Sequence, residues 1–175
     1  MPLVCFASPK GGVGKTTLTA TVGLALQRLG WRVLAIDLDR QNALRLHFEL
    51  SSDDLPGIAD ESNGRRDWSD LVVETRSGVY LIPFGAAPAA HCLRLERFAG
   101  ENPGWIRGQL EPFFEHRDLV LVLDMPSGPS SYGVAIDPIA DLQVAVLLAD
   151  PLSLALLPRM QARDFLVEEA ALSSG

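Results

Sequence analysis

A glycine-rich stretch near the start of the chain, SPKGGVGKTT (Ser8–Thr17), contains residue types that bind phosphate groups. Gly11, Gly12 and Gly14 carry no side chain, so consecutive backbone N–H groups can turn inward around phosphate oxygens. The positive end of a helix that begins near Lys15 would face the same anion. The pattern therefore predicts a phosphate-binding loop. The alternative is a glycine-rich turn that holds no ligand.

The residues beside these glycines predict a nucleotide with a metal ion. Lys15 would reach the outer phosphates as a point charge, and the Thr16 hydroxyl would ligate Mg²⁺. The usual pattern G-x-x-x-x-G-K-[ST] is incomplete, because Pro9 stands where its first glycine is expected. A second lysine, Lys10, stands five residues before Lys15.

Three aspartates would complete such a site. Asp124 follows the apolar run Leu119–Leu123, in the manner of a carboxylate that holds Mg²⁺ directly or through water. Asp37 and Asp39 are two residues apart at a strand end, so we expect them to share one face. One would support the metal, and the other would orient or deprotonate the attacking water. The alternatives are a strand cap for Asp124 and a helix start for the other two.

Strands that alternate with helices must position these residues. Short apolar runs predict five strands, and apolar residues spaced three and four apart predict the helices. The predicted strands are Leu3–Ala7, Trp31–Leu38, Val79–Gly85, Asp118–Asp124 and Leu142–Asp150. The predicted helices are Lys15–Leu29, Gln41–Phe48, Trp105–Phe114 and Ser153–Ala170. Ser51–Arg66 is predicted to be a loop, and Ala86–Gly104 mostly loop with a helical piece near His91–Phe98.

This alternation predicts an α/β fold, with a doubly wound, mostly parallel sheet and helices on both faces. We expect residues 1–175 to form a single domain. Ligands of such sheets bind at the carboxyl ends of the strands. The glycine-rich stretch, the Asp37–Asp39 segment and Asp124 all follow predicted strands, so one shared site is expected there.

Composition argues against several other classes of protein. The chain is 47% hydrophobic, yet no apolar run approaches the roughly 18 to 20 residues that span a bilayer. It begins without a secretory signal, and Cys5 and Cys92 are too few for a disulfide framework, so we expect a cytoplasmic protein. A net charge of −7 argues against non-specific nucleic-acid binding. His47, His91 and His116 have no neighbours at metal-ligand spacing, so no transition-metal site is expected.

The motifs KGGVGKTT, DLDRQ and LVLVLDMP together resemble those of the deviant Walker A ATPases of the ParA/MinD superfamily. The resemblance implies ATP and Mg²⁺ as cofactors and a homodimer with ATP sandwiched between its chains. It implies catalytic roles for Lys10, which reaches the partner's nucleotide, for Lys15, and for Asp39, which positions the attacking water. The implied metal ligands are Thr16, Asp37 and Asp124. The implied nucleotide-binding residues are Gly11, Gly12, Val13, Gly14, Lys15, Thr16 and Thr17.

The segments QNALRLHF, DWSDL, LIPFG and ENPGW resemble, more closely, the ParA-like proteins of bacterial cellulose-synthesis operons. This implies a slowly hydrolysing dimerisation switch that supports assembly or localisation of a cellulose synthesis and secretion complex. Its partners would be proteins of that complex, through which it would reach the inner membrane or cell pole; no specific nucleic acid is expected. Superfamily chains are usually longer, so this one would be a fragment or a shortened member, with a C-terminally incomplete sheet.

Two other functions stay open on the sequence. One is a chromosome- or plasmid-partitioning or division-site ATPase of the ParA/MinD type. The acidic net charge and the segments QNALRLHF and LIPFG argue against it. The other is a non-catalytic scaffold that binds nucleotide weakly or not at all. Retention of Lys15, Thr16, Asp39 and Asp124 argues against that reading.

Overall fold

The computed structural model describes residues 2–51, 55–60 and 64–161, and its centre is a six-stranded sheet with the order β3-β4-β2-β5-β1-β6. The strands are β1 (Leu3–Ser8), β2 (Arg32–Asp37), β3 (Val73–Glu74), β4 (Tyr80–Ile82), β5 (Leu119–Ser127) and β6 (Leu142–Ala145). Neighbouring strands are parallel, except that the two-residue strand β3 pairs antiparallel with β4. The predicted mostly parallel sheet is confirmed.

Helices cover both faces of this sheet. They are α1 (Lys15–Arg28), α2 (Leu44–His47), α3 (Ala89–Glu101), α4 (Trp105–Leu110), α5 (Ser131–Ile136) and α6 (Pro151–Gln161). Successive strand residues point to opposite faces, so β5 contributes to two apolar clusters. Val122 packs in the cluster that contains Ala20 of α1, and Leu123 in the cluster that contains Leu95 of α3 and Ile136 of α5. The predicted doubly wound architecture is therefore confirmed.

The strand register brings the three polar segments together. Asp37 at the end of β2 lies opposite Asp124 of β5, and Phe6 of β1 lies opposite the same aspartate on its other side. The apolar residues that precede them are fully buried, and each such side chain stabilises the fold by roughly 1.5–3 kcal/mol. The core of the sheet therefore fixes where the loops after β1, β2 and β5 begin.

Helix α3 is the largest difference from the sequence prediction. The prediction that residues 86–104 are mostly loop is wrong, because Ala89–Glu101 forms a 13-residue helix. The buried residues of α3 are Leu95 and Ala99, and no side chain caps its N-terminus, so the usual local signal for a helix start is missing. Packing against α5 stabilises the helix, and that contact is invisible in the local sequence.

The helices beside the site also begin at other residues than predicted. No helix was predicted between the strand that ends at Asp124 and the one that begins at Leu142, but α5 starts there at Ser131. Ser130 caps that helix, since its Oγ accepts a hydrogen bond from Gly133 N at 3.1 Å. The predicted helix Gln41–Phe48 forms only at α2, because Asn42 adopts φ 47° in a turn that precedes it.

The C-terminal elements are shifted as well. Strand β6 ends at Ala145, whereas the prediction extended it to Asp150, and α6 begins at Pro151. The predicted continuation of that helix to Ala170 lies outside the described residues. Across the ranges that are described, no helix is long and apolar enough to cross a membrane.

Candidate functional site

The glycine-rich loop between β1 and α1 has the backbone conformation of a phosphate cradle. Gly12 and Gly14 adopt φ values of 75° and 88°, in the left-handed region that side chains disfavour. A Cβ atom at either position would meet no heavy atom within 4 Å, so backbone conformation and not crowding requires glycine there. Left-handed residues in such a loop turn successive N–H groups toward one side, which suits an anion. Helix α1 starts directly afterwards at Lys15.

Lys15 is buried and points its ammonium group at the predicted acidic residues. Its side chain is 4% exposed, and its Nζ donates a hydrogen bond to Asp124 Oδ1 at 2.7 Å. Nζ also lies 3.8 Å from Asp39 Oδ2. A charge this deeply buried needs a partner, and Asp124 supplies it here. Lys15, Asp124 and Asp39 therefore form one cluster, as the sequence predicts.

Asp124 has one satisfied and one unsatisfied carboxylate oxygen. Oδ1 accepts from Lys15 Nζ and, at 3.2 Å, from Thr19 Oγ1. Oδ2 is buried and has no hydrogen-bond partner in the part of the chain that the structure describes. Burial raises the pKa of Asp124, while Lys15 and then Thr16 act in the opposite direction. A buried acceptor without a partner costs free energy, and a cation or its water shell would satisfy it.

These observations fit Mg²⁺ at the predicted position. Mg²⁺ is usually held by one or two protein oxygens together with substrate phosphates and water. Asp124 Oδ2 is such an oxygen, and the half-buried Thr16 lies close enough to lower the pKa of the Asp124 carboxyl. Thr16 and Asp124 are therefore the residues that would hold the ion.

Asp37 lies beside Asp124 but is bonded to the backbone of its own loop. Its Oδ1 accepts from Asp39 N and its Oδ2 from Leu44 N, both at 3.0 Å. Burial, and secondly the Asp124 carboxylate, raise the pKa of Asp37 to about 8. Both oxygens hold the loop that joins β2 to α2. A role for Asp37 in supporting a metal ion stays a prediction. Asp37 would either contact the ion with an oxygen that already accepts a backbone hydrogen bond, or support it indirectly by holding the loop.

Asp39 lies outside the strand, in the turn after it. Strand β2 ends at Asp37, so the two aspartates do not share a strand face as the sequence suggested. Asp39 Oδ1 accepts from Gln41 N at 3.0 Å, which fixes the carboxylate, and the side chain is 16% exposed. Its second oxygen, 3.8 Å from Lys15 Nζ, lies beside the phosphate loop. This position suits an acceptor for a water proton.

Lys10 and Thr17 lie at the periphery of the cluster. Thr17 is exposed in the first turn of α1. Lys10, 22% exposed, forms an ion pair with Asp150. Asp150 also accepts a hydrogen bond from Ser153 N at 2.7 Å, at the start of α6. Lys10, which the resemblance implies would reach a partner's nucleotide, is thus paired within its own chain in this structure.

Sequence reasoning did not assign Thr19 or Asp150 to the site. Thr19 stands four residues after Lys15, a spacing that places two helix residues on one face. The sequence could therefore have indicated that Thr19 lies beside Lys15 and near its partner Asp124. Asp150 ends the apolar run that contains β6, the strand next to β1. Its partner Lys10 is 140 residues away in sequence, so only the sheet order brings them together.

Comparison with known proteins places the chain in a family. The family model described as "Cellulose biosynthesis protein BcsQ" matches residues 1–174. The chain belongs to the BcsQ family. The BcsQ protein of Salmonella typhimurium is 30% identical over 151 residues, which are 86% of this chain and 60% of that protein. The chain therefore spans about 60% of that relative's length.

Solved structures show the same fold. Cobyrinic acid a,c-diamide synthase from Mycobacterium smegmatis, with bound ATP analog and magnesium, matches with TM-score 0.77 and 25% identity over 93% of this chain and 68% of the synthase. The cell division ATPase MinD of Pyrococcus furiosus matches with TM-score 0.71 and 24% identity over 95% and 68% of the two chains. The predicted resemblance to ParA/MinD ATPases, with its cellulose-biosynthesis branch, is confirmed. The roles of individual site residues stay predictions.

Proposed function

We propose that this BcsQ-family chain binds ATP with Mg²⁺, hydrolyses it slowly to ADP and phosphate, and acts as a nucleotide-dependent dimerisation switch. The observation that carries the proposal is the buried Lys15–Asp124 pair beside the Gly12–Gly14 turn, with Asp124 Oδ2 left unsatisfied. A phosphate would give Lys15 a new partner and would release Asp124 for a cation. The polar groups of the site are therefore arranged for a ligand that combines an anionic phosphate with a bound cation.

Hydrolysis would depend on three residues of this cluster. Lys15 would bind the outer phosphate oxygens and compensate the charge that develops on them. Asp39, oriented by Gln41 N–H, would position a water and accept its proton as the bond to the outer phosphate breaks. Bound Mg²⁺, held by Thr16 and Asp124, would neutralise phosphate charge. With few groups contributing, slow turnover is expected.

Dimerisation is proposed from the position of Lys10. Its ammonium group is partly exposed and paired with Asp150, whereas Lys15 is the lysine that contacts Asp39 and Asp124. An anion presented by a second chain could therefore take Lys10 from Asp150 while Lys15 keeps its place in the site. We therefore propose a homodimer with ATP between the chains, in which Lys10 contacts the nucleotide of the partner.

The cellular role is proposed from family membership. The name BcsQ associates the family with cellulose biosynthesis, so the proposed role is support for the assembly or localisation of a cellulose synthesis and secretion complex. Its proteins would be the partners, and they would bring this cytoplasmic protein to the inner membrane or cell pole. Copurification with cellulose-synthase proteins from a cellulose-producing cell, dependent on Asp124, would test this; unaltered recovery of the Asp124→Asn variant would count against a nucleotide switch.

Calorimetry with Mg-ATP, combined with phosphate release, tests the biochemical proposal. The wild-type chain should bind Mg-ATP and release phosphate, and Asp124→Asn should weaken Mg-ATP binding much more than ATP binding in EDTA. Asp70→Asn is the matched control, because Asp70 is exposed and far from the phosphate loop in sequence. A wild-type chain that is folded but binds no Mg-ATP would favour the non-catalytic scaffold.

A further inference from the structure

Thr19 is a fully buried polar residue of α1 that contacts the aspartate of β5. Its side chain is 0% exposed, and its Oγ1 lies 3.0 Å from Lys15 O and 3.2 Å from Asp124 Oδ1. A hydroxyl group has one proton to donate, so it serves one of these two acceptors at a time. The Thr19 hydroxyl can therefore pass from one acceptor to the other by rotation of its proton alone.

Neither acceptor depends on Thr19 while Lys15 holds Asp124. Lys15 Nζ donates to the same carboxylate oxygen at 2.7 Å, and a charged donor forms the stronger hydrogen bond. Lys15 O lies within α1, where the backbone N–H four residues later also donates to it. A threonine hydroxyl in a helix commonly donates to that same carbonyl. In the arrangement seen in this structure, the contact of Thr19 with Asp124 is therefore secondary.

Nucleotide binding would make this contact necessary. This step rests on the proposed function, in which Lys15 leaves Asp124 for the outer phosphates. The Oδ1 atom of the buried carboxylate would then lose its ammonium partner, and a buried acceptor without a partner costs free energy. Thr16 also lowers the pKa of Asp124, but it is half-buried and is proposed to use its oxygen for the ion. Thr19 is completely buried, so its hydroxyl stays beside Oδ1.

We propose that Thr19 is a positioning residue for the metal site. When Lys15 binds phosphate, the Thr19 hydroxyl donates to Asp124 Oδ1 and so keeps Oδ2, the oxygen without a partner in the described residues, directed at the cation. Thr19 contacts neither the nucleotide nor the ion, and it acts only through Asp124. Groups that hydrogen-bond to a metal ligand orient it, and their loss typically weakens metal binding by about 10- to 100-fold.

The same helix supplies a matched control. Thr21 Oγ1 donates to Thr17 O at 2.7 Å, which is the same four-residue contact that Thr19 makes with Lys15 O. Thr21, however, is exposed. Replacement by valine therefore removes a helical side-chain hydrogen bond at both positions, but it removes a contact with Asp124 only at Thr19. The difference between the two variants isolates that contact.

The affinity for the metal in the nucleotide complex tests the proposal. Mn²⁺, a paramagnetic substitute for Mg²⁺, is titrated into each variant with saturating ADP, and the EPR signal of the free ion gives its dissociation constant. Thr19→Val should weaken Mn²⁺ binding about tenfold, whereas Thr21→Val should leave it unchanged. Thr19→Ser keeps the hydroxyl and should bind Mn²⁺ like the wild type. Thr19→Ala, which places no methyl group beside the carboxylate, should show the same loss as Thr19→Val.

A double-mutant cycle tests the contact without nucleotide or metal. Lys15→Met removes the ammonium group, so in that background the Thr19 hydroxyl has to hold Asp124 Oδ1. Thr19→Val should lower the melting temperature by about 3 °C more in Lys15→Met than in the wild-type chain. Thr21→Val should have the same effect in both backgrounds, because it does not share a partner with Lys15.

Three results would overturn the role of Thr19 while the proposed function stands. They are an unchanged Mn²⁺ affinity in Thr19→Val, an equal loss in Thr19→Ser or Thr21→Val, and additive changes in melting temperature across the cycle. ADP affinity in EDTA should be the same in every variant, which separates metal binding from nucleotide binding. A folded wild-type chain that holds no Mn²⁺ in the presence of ADP would instead overturn the proposed function, and the role of Thr19 with it.

Discussion

Lys10 of the phosphate loop and Asp150 at the start of α6 form an ion pair between two segments that are 140 residues apart in the sequence. The same aspartate accepts a hydrogen bond from Ser153 N, so it caps α6 while it holds the lysine. The lysine proposed to act on a second chain's nucleotide is therefore occupied within its own chain. The proposed dimerisation would have to compete with this intramolecular pair.

Replacement of Asp150 by asparagine should favour the nucleotide-dependent dimer. Asparagine still caps α6 but does not hold Lys10 as an ion pair, so the lysine is released for the partner. We expect the dimer dissociation constant with Mg-ATP to fall by roughly threefold, the scale of a partly exposed ion pair. Analytical ultracentrifugation measures it. Asp118→Asn is the matched control, since it breaks the exposed ion pair with Arg32 at the other end of the sheet. If Asp150→Asn weakened the dimer while Asp118→Asn did not, the intramolecular pair would not be competing with dimerisation.

Replacement of Lys10 by alanine should have the opposite effect on the dimer. The variant should bind Mg-ATP with little change, because Lys15 and not Lys10 lies against the site aspartates. It should fail to dimerise with Mg-ATP, and turnover should fall with it. Size-exclusion chromatography with light scattering measures the dimer, and calorimetry the nucleotide. An undiminished ATP-dependent dimer would remove Lys10 from its proposed role.

Replacement of Asp39 by alanine should separate binding from hydrolysis. In this variant Lys15 keeps its 2.7 Å hydrogen bond to Asp124, so the phosphate site remains. The variant should therefore still bind Mg-ATP and still dimerise. Loss of a positioned acceptor for the water proton should lower phosphate release by about a hundredfold or more. A malachite-green assay measures it, with Asp70→Asn as control. Turnover at the wild-type rate would show that another group activates the water.

The Lys10–Asp150 pair should also appear in the acid stability of the fold. The hydrogen bond from Lys10 lowers the pKa of Asp150 to about 2, from an ordinary value of 3.8. A carboxylate with a lowered pKa in the folded state stabilises the fold above its ordinary pKa, and that contribution is lost as the pH falls toward the lowered value. Wild type should therefore melt above Asp150→Asn at about pH 5, and the gap should close between about pH 4 and pH 2. A gap that is independent of pH would contradict this.

The two cysteines should differ sharply in reactivity. Cys5 is 1% exposed, and burial raises its pKa to about 11, so it forms little thiolate near neutral pH. Burial also raises the pKa of Cys92, but this thiol is half-buried and lines a cavity that Arg40 also lines. Ellman's reagent should modify Cys92 in the native chain and both thiols in denaturant. Native labelling that persists in Cys92→Ser would contradict the assignment.

Much of the arrangement around the glycine-rich loop could be predicted because its signals are local. Gly12 and Gly14 are needed for a backbone conformation, and Lys15 stands directly after them at the start of α1. Asp124 could be found because the apolar run Leu119–Leu123 leads directly to it. Parallel strands bring their carboxyl ends to one edge of the sheet, so loops that are distant in sequence had to converge.

Other features depended on contacts that no local pattern shows. Helix α3 has a narrow buried stripe, and its packing against α5 stabilises it. Asp37 was predicted as a partner of the metal, but the fold places both its oxygens on backbone N–H groups. The packing of α3 and the hydrogen bonds of Asp37 depend on which polar groups lose contact with water when helices pack on the sheet. Only the folded chain determines this.

The sequence by itself determined the family, the glycine-rich loop and five of the six strands of the described sheet, because glycine conformation and apolar periodicity act over a few residues. The tertiary structure decided that Lys10 is paired with Asp150 and that the Thr19 hydroxyl contacts Asp124. The physical reason is range. An ion pair or a buried hydrogen bond depends on which side chains the sheet order brings within a few ångströms, and residues 10 and 150 become neighbours only when β6 pairs with β1.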